Sequence, residues 1–368
     1  MRYFLIAGER SGDLHASRIV SALRARDPEA EFEGWGGEQM EQAGVVLREH
    51  YRNTATMGFL EVLKKLRHFR RLIQRCKDDI AAYQPDAVIY VDFSAFNLRV
   101  APAVVKQGIT GYFFITPKVW AWNTKRAFKL ARLTDHRLVI LPFEVDFFAE
   151  RQISATYVGN PLTERIRGFT PDPDFRQTHG LDDRPIVALL PGSRRQEVSR
   201  LLPVMMAVVK DRPEWQWVMS GVRSLPEELY QPAQDAGIPL VWEDSYNLMA
   251  HAHTAVVASG TATLETALFR VPQVVVYRTS AFSALVVRAV IKIPFVSLPN
   301  LIAQRAVVPE LLQNACTPEE VLRQVDLLQT EAGRQAQLEG YADIAHRLGD
   351  ISTPDAVAEY ITQHPPTT

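Results

Sequence analysis

Two segments of this 368-residue chain combine glycine, hydroxyl and cationic residues in a way that suits a phosphate group. In Leu189-Leu190-Pro191-Gly192-Ser193-Arg194-Arg195-Gln196-Glu197, Gly192 and Ser193 can bring backbone N–H groups close to an anion. Arg194 can add a bidentate, permanently charged contact. A plain turn with a solvated arginine pair is the competing reading. In Ala258-Ser259-Gly260-Thr261-Ala262-Thr263-Leu264-Glu265, Ser259 or Thr261 can cap a helix whose positive end faces a ligand. Glu265 falls about one turn past Thr261, where a carboxylate could take both hydroxyls of a ribose. The bland alternative is a capping pattern one residue longer than a capping box. Both segments follow apolar strand candidates, at the edge where open α/β sheets bind ligands. Together they favour a nucleoside diphosphate.

A carboxylate for acid–base work stands in the first half. Asp92, in Val91-Asp92-Phe93-Ser94-Ala95-Phe96-Asn97, follows a very apolar run over 87–91. That position suits a general base and equally a helix cap. Trp120 and Trp122 fall near the same edge, either as core or as a stacking platform for a sugar. Gly8-Glu9-Arg10-Ser11-Gly12-Asp13 joins the first strand to a helical run, as a ligand loop or a plain turn. It is not GxGxxG, which disfavours a nicotinamide dehydrogenase. His251-x-His253 has no third ligand nearby in sequence, so no metal site is expected. No GxSxG or Cys–His signature points to a covalent nucleophile.

The elements that must position these residues alternate as in a parallel α/β sheet. Strands are expected at 2–7, 31–35, 87–91, 111–115 and 137–141, and again at 186–190, 216–220, 238–242, 255–258 and 274–277. Their continuous apolar character fits strands covered on both faces. Between the two sets, the polar, proline-punctuated stretch 160–185 suits a linker. The expected architecture is two Rossmann-like, doubly wound domains facing a cleft. They span 1–168 and 169–345, and a C-terminal helix and tail, 346–368, is able to pack back on the first. Over 57–72 the apolar residues Phe59, Leu60, Val62, Leu63, Leu66 and Phe69 accompany Lys64, Lys65, Arg67, Arg70 and Arg71. Such an amphipathic helix can lie on an anionic bilayer or pack its stripe on the sheet.

Composition narrows the field. A formal net charge of −1 argues against holding nucleic acid by bulk electrostatics. Hydrophobic residues make up 47% of the chain, enough for two cores. Cys76 and Cys316 read as free thiols in a reducing cytoplasm. The opening apolar run stops at Gly8 with no cleavage pattern, and no stretch nears the roughly 18 apolar residues of a spanning helix. The expected protein is cytoplasmic, soluble or peripheral to the membrane.

With these residues assembled, the chain resembles the lipid-A-disaccharide synthases along nearly its whole length. The resemblance rests on Ala7-Gly8-Glu9-x-Ser11-Gly12-Asp13, Met57-Gly58-Phe59-x-Glu61-Val62, Pro117-x-Val119-Trp120-Ala121-Trp122 and Leu141-Pro142-Phe143-Glu144. It continues through Val158-Gly159-Asn160-Pro161-Leu162, Leu190-Pro191-Gly192-Ser193-Arg194, Ser259-Gly260-Thr261-Ala262-Thr263-Leu264-Glu265 and Ser297-Leu298-Pro299-Asn300. It implies an inverting glycosyltransferase of the B-type fold that works without metal or other cofactor. Such an enzyme moves 2,3-diacylglucosamine from UDP to 2,3-diacylglucosamine 1-phosphate, forming a β-1,6 bond at the cytoplasmic face of the inner membrane. By the same resemblance Asp92 is the base, Arg194 serves the diphosphate, and Glu265 and Asn300 line the nucleotide site. The acceptor side takes in Glu9, Ser11, Gly12, Asp13, Asn97, Trp120 and Trp122, the helix 57–72 meets lipid, and a homodimer is compatible. Ser94-Ala95 stand where the family has proline and then Asp or Gly, and Thr116 replaces a serine. The rival readings are a UDP-N-acetylglucosamine epimerase or peptidoglycan-type transferase of the same fold, and a non-catalytic membrane-associated binding module.

Overall fold

The computed structural model describes residues 1–54, 62–121, 123–210, 212–279 and 294–366, without the side chains of 54 and 62–66. Apolar runs become strands wherever both faces are covered by helices. In the first unit these are β1 (Arg2–Ala7), β2 (Glu31–Gly36), β3 (Val46–His50), β4 (Ala87–Val91), β5 (Thr110–Phe114), β6 (His136–Val139) and β7 (Thr156–Tyr157). They pair in parallel in the order β3-β2-β1-β4-β5-β6-β7. In the second unit β8 (Ile186–Leu190), β9 (Gln216–Gly221), β10 (Leu240–Trp242), β11 (Thr254–Ala258), β12 (Gln273–Tyr277) and β13 (Glu310–Leu312) form a second parallel sheet, β10-β9-β8-β11-β12-β13. In both sheets the order reverses beside the first strand, between β1 and β4 and between β8 and β11. Such a reversal opens a crevice at the strands' C-terminal ends.

The period of two along each central strand divides the core into two layers. Tyr3, Leu5 and Ala7 point into one cluster with Ile89 and Val91, while Phe4 and Ile6 join Val88, Tyr90 and Phe96 in the other. The second sheet repeats this, with Val187 and Leu189 on one face and Ile186, Ala188 and Leu190 on the other.

The compact units are Met1–Pro161 with Asp350–Thr368, and Leu162–Gly349. The division falls at 161 and 349, where the sequence suggested 168 and 345. One reason is visible in the short helix Pro161–Arg167: the Arg165 guanidinium lies 4.6 Å from the ring centre of Tyr246, in the second unit. The segment expected as a linker also holds the helical turn Phe175–Thr178, whose Phe175 is buried. At the far end, helix Thr353–Gln363 places Val357, Ala358 and Ile361 in the core of the first sheet. The Tyr112 hydroxyl donates to the carbonyl of His364, and His136 Nδ1 lies 3.1 Å from the Tyr360 hydroxyl. Among the described residues, no helix is long and apolar enough to cross a membrane.

Candidate active site

In the first sheet Ala7 pairs with Val91, so Gly8 and Asp92 leave neighbouring strands side by side at the order reversal. Asp92 and Phe93 both adopt left-handed backbone, with φ of 47° and 45°. Non-glycine residues accept this at a cost of about 1–3 kcal/mol each, and such strain gathers at functional sites. Three contacts hold the turn. The Asp92 N–H donates to the Phe114 carbonyl at 2.9 Å, and Asn97 Nδ2 donates to the Asp92 carbonyl at 2.8 Å. The Phe93 ring stacks on Phe96 at 5.0 Å and lies over Gly8, where a Cβ would fall 2.3 Å from it. Asn97 and the Phe93 ring thus hold the loop that carries Ser94 and Ala95.

The Asp92 side chain reaches solvent, yet neighbouring protein strips part of its hydration and raises its pKa. The Glu9 carboxylate raises it further, while Lys118 and the Phe93 N–H pull it back. A carboxylate held at a strand end with a raised pKa is suited to accept a proton. Lys118 went unnoticed in the sequence because it stands inside a motif whose flanking residues carried the signal.

The other residues expected on the acceptor side divide. Glu9 and Ser11 are exposed at the start of helix Arg10–Arg26, which has no side-chain cap. Gly12 is buried one turn in. Asp13 is 1% exposed and already engaged: Oδ1 accepts from the N–H of Gly37 and Met40, and Oδ2 from that of Gln39. It pins the β2 loop rather than offering an oxygen to a ligand. Trp120 is buried, with its indole N–H donating to Glu144 at 2.9 Å and Phe143 edge-on at 5.0 Å. That is the core reading of this tryptophan, because both its face and its donor are used by protein. Burial lifts the Glu144 pKa to about 7. Trp122 lies outside the described residues.

At the reversal of the second sheet, Val257 pairs with Leu190, so the two expected anion loops emerge from adjacent strands. Gly192 has φ of +102°, which turns the chain sharply before helix Arg195–Val209. Ser193 and Arg194 are exposed there. Helix Thr261–Leu268 opens from Gly260, which takes the N-cap place with no side-chain cap. This corrects the expected cap: the Ser259 hydroxyl turns away to the Val296 carbonyl at 3.4 Å, and Thr261 lies inside the helix. A Cβ at Gly260 would meet nothing within 4 Å among the described residues. Glu265 is half-buried and accepts from the Tyr246 hydroxyl at 2.7 Å. Burial raises its pKa, against the pull of Tyr246 and Arg165. Tyr246, Phe169 and Phe269 form a ring cluster around it, with centroids 5.2–5.6 Å apart.

Asn300 is fully engaged within the protein. Its Nδ2 donates to the Val308 carbonyl and Glu310, both at 2.9 Å, and its Oδ1 accepts from the N–H of Val307 and Val308. Glu310 also accepts from the N–H of Val296 and from the N–H and hydroxyl of Ser297. Asn300 therefore fixes the segment that carries the Val296 carbonyl to Ser259, and its side-chain amide is spent on protein partners. Glu310 was missed because β13 is too short to show a strand signal.

In helix Val62–Tyr83 the apolar stripe from Phe69 onward faces protein. Phe69 meets Phe96 edge-on at 5.8 Å, and Leu72, Ile73, Cys76 and Ile80 are buried. Phe69, half-buried, thus has packing partners within the first unit. Arg67, Arg70 and Arg71 are exposed. Phe59 and Leu60 lie outside the described residues, as do the side chains of Val62, Leu63, Lys64, Lys65 and Leu66.

The family model described as lipid-A-disaccharide synthetase matches residues 3–353. The chain belongs to the lipid-A-disaccharide synthase family. A lipid-A-disaccharide synthase of Myxococcus xanthus is 39% identical over 98% of this chain and 97% of its own length. One from Syntrophus aciditrophicus is 35% identical over 96% and 94%. Among solved structures, the UDP-GlcNAc 2-epimerase of Neisseria meningitidis bound to UDP-GlcNAc superposes with a TM-score of 0.65 at 12% identity, covering 99% of this chain and all of that one. An enzyme from Listeria monocytogenes, a putative UDP-N-acetylglucosamine 2-epimerase by its description, superposes at 0.68 and 13%, covering 99% and 96%. Identities this low speak for the fold alone, the B-type glycosyltransferase fold with two parallel α/β sheets. As a member of its family the chain is a glycosyltransferase of lipid A biosynthesis, and lipid A precursors are its substrates.

Proposed function

We propose that the chain transfers 2,3-diacylglucosamine from UDP to the 6-hydroxyl of 2,3-diacylglucosamine 1-phosphate, with inversion to a β-1,6 bond and release of UDP. The observation that carries this reading is the pairing of chemistries at the two order reversals. A strained Asp92 with a raised pKa stands at one, and two loops of the kind that take an anion stand at the other. Asp92 takes the proton of the acceptor hydroxyl as its oxygen attacks the anomeric carbon from the face opposite UDP. Negative charge then grows on the departing diphosphate. Arg194, the N–H groups after Gly192 and the start of helix Thr261–Leu268 are the donors and positive charge that would meet it. Glu265 takes the ribose hydroxyls through the oxygen that Tyr246 does not use.

Incubating the full chain with the two acylated substrates in detergent tests this directly. Stoichiometric disaccharide and UDP are expected. UDP-sugar converted without acceptor would instead mark an epimerase, and binding without UDP release a non-catalytic module.

We also propose that the start of helix Val62–Tyr83 meets the inner-membrane surface, since its later turns are committed to the core while Arg67, Arg70 and Arg71 stay in solvent. Replacing Phe59, Leu63 and Leu66 with serine should then cut flotation with anionic liposomes several-fold. Unchanged flotation of the folded variant would return the whole stripe to the core.

A further inference from the structure

The loop assigned to the diphosphate already holds an anion of the protein's own. Glu197 Oε2 accepts from the N–H of Ser193 and of Arg194, each at 3.3 Å, and Glu197 Oε1 meets Arg194 Nη1 at 3.2 Å. Gly192 makes the approach possible, because a Cβ there would lie 2.5 Å from Glu197 Oε2. All three contacts exceed the roughly 2.7–2.9 Å of a tight charge-assisted bond. The Arg194 side chain remains 82% exposed while that of Glu197 is 20% exposed, so the guanidinium is held loosely and the carboxylate is tucked against the loop. Two N–H groups and a guanidinium are what a phosphate would use in this loop. The carboxylate and a phosphate cannot both have them, since the donors are too few and the charges alike.

We infer that Glu197 is a resident counter-anion, which keeps the loop formed when empty and which the donor's diphosphate must displace. The inference rests on the assignment of this loop to the diphosphate made above. Its energetic sense is a weakening of nucleotide binding. The helix-start N–H groups never stand bare in the empty loop, and the carboxylate returns to them as UDP leaves, which favours product release.

Calorimetric titration of the full chain with UDP and with uridine tests this. The comparison is between the natural sequence, Glu197→Gln and Arg194→Ala. Glutamine at this helical position still supplies a capping acceptor, so the loop keeps its shape while the charge is removed. Glu197→Gln should bind UDP about fivefold more tightly, roughly the effect of relieving unit-charge repulsion across about 4 Å of water-like surroundings. Uridine, which has no phosphate, should bind unchanged. Arg194→Ala should weaken UDP by roughly tenfold or more. UDP affinity that is unchanged or weaker in Glu197→Gln, with Arg194→Ala still impaired, overturns the counter-anion and leaves the loop assignment standing. Equal tightening of uridine overturns it as well, by marking a general change in the site. Indifference of UDP to both substitutions removes the diphosphate from this loop altogether.

Discussion

Asp92→Asn is expected to lower disaccharide formation by about 10²–10⁴-fold, the usual worth of a positioned base, and to leave UDP affinity within about twofold. The separation of the two effects follows from where the groups stand. Asp92 ends β4 in the first unit, while the loops offered to the nucleotide end β8 and β11 in the second. Asparagine is close in shape and keeps the main-chain bonds to Phe114 and Asn97 that hold the turn. The loss is therefore one of proton acceptance, read in turnover. A pH profile sharpens the assignment. As the proposed base, Asp92 would act when deprotonated, and its pKa lies above the ordinary 3.8, chiefly from lost hydration and then from Glu9. The acidic limb of kcat/KM should fall at a higher pH than an unperturbed aspartate would give. Removing the neighbouring charge with Glu9→Gln should move that limb to lower pH. Near-normal turnover in Asp92→Asn would take this residue out of the mechanism.

The central strands were legible because burial on both faces demands uninterrupted apolar residues. The runs at 2–7, 87–91 and 186–190 are strands over those same residues. The strands that escaped notice, β3, β7 and β13, all lie at sheet edges. β3 reads Val-Leu-Arg-Glu-His, with Val46 at 57% exposure, and β7 and β13 have two and three residues. Such segments take their conformation from the neighbouring strand rather than from an apolar pattern of their own. The site was legible in its glycines and its motif order, less so in the duty of each polar side chain. Trp120 could have faced a sugar, and only the fold shows that Glu144, 24 residues on, takes its donor. Asn300 likewise owes its role to Glu310 and to the carbonyl of Val308, partners joined by tertiary structure. Spacing marks residues that belong together without saying which of them touches substrate and which holds the others in place.

Asp13 carries the largest structural consequence of that distinction, and Asp13→Ala should cost about 3–5 kcal/mol of stability. Its carboxyl group, buried between the first helix and the β2 loop, satisfies three main-chain N–H groups at 2.7, 3.0 and 3.1 Å. Alanine leaves all three without that acceptor in a space closed to bulk water, and burying an unmet donor costs more than a bond contributes when made. Neighbouring atoms leave little room to adjust. A Cβ at Gly37 would already lie 2.1 Å from the Tyr51 ring and 2.9 Å from Asp13 Oδ2. Asp13→Asn should fall between the two, because Oδ1 can still serve Gly37 and Met40 while the new amide opposes the N–H of Gln39. Urea unfolding followed by circular dichroism reads the order directly, with midpoints falling from the natural sequence to Asn to Ala. Activity should follow the same order, since the helix that Asp13 anchors also presents Glu9 beside Asp92. Were Asp13 a substrate ligand instead, both variants would keep their unfolding midpoints and lose only affinity for the acceptor.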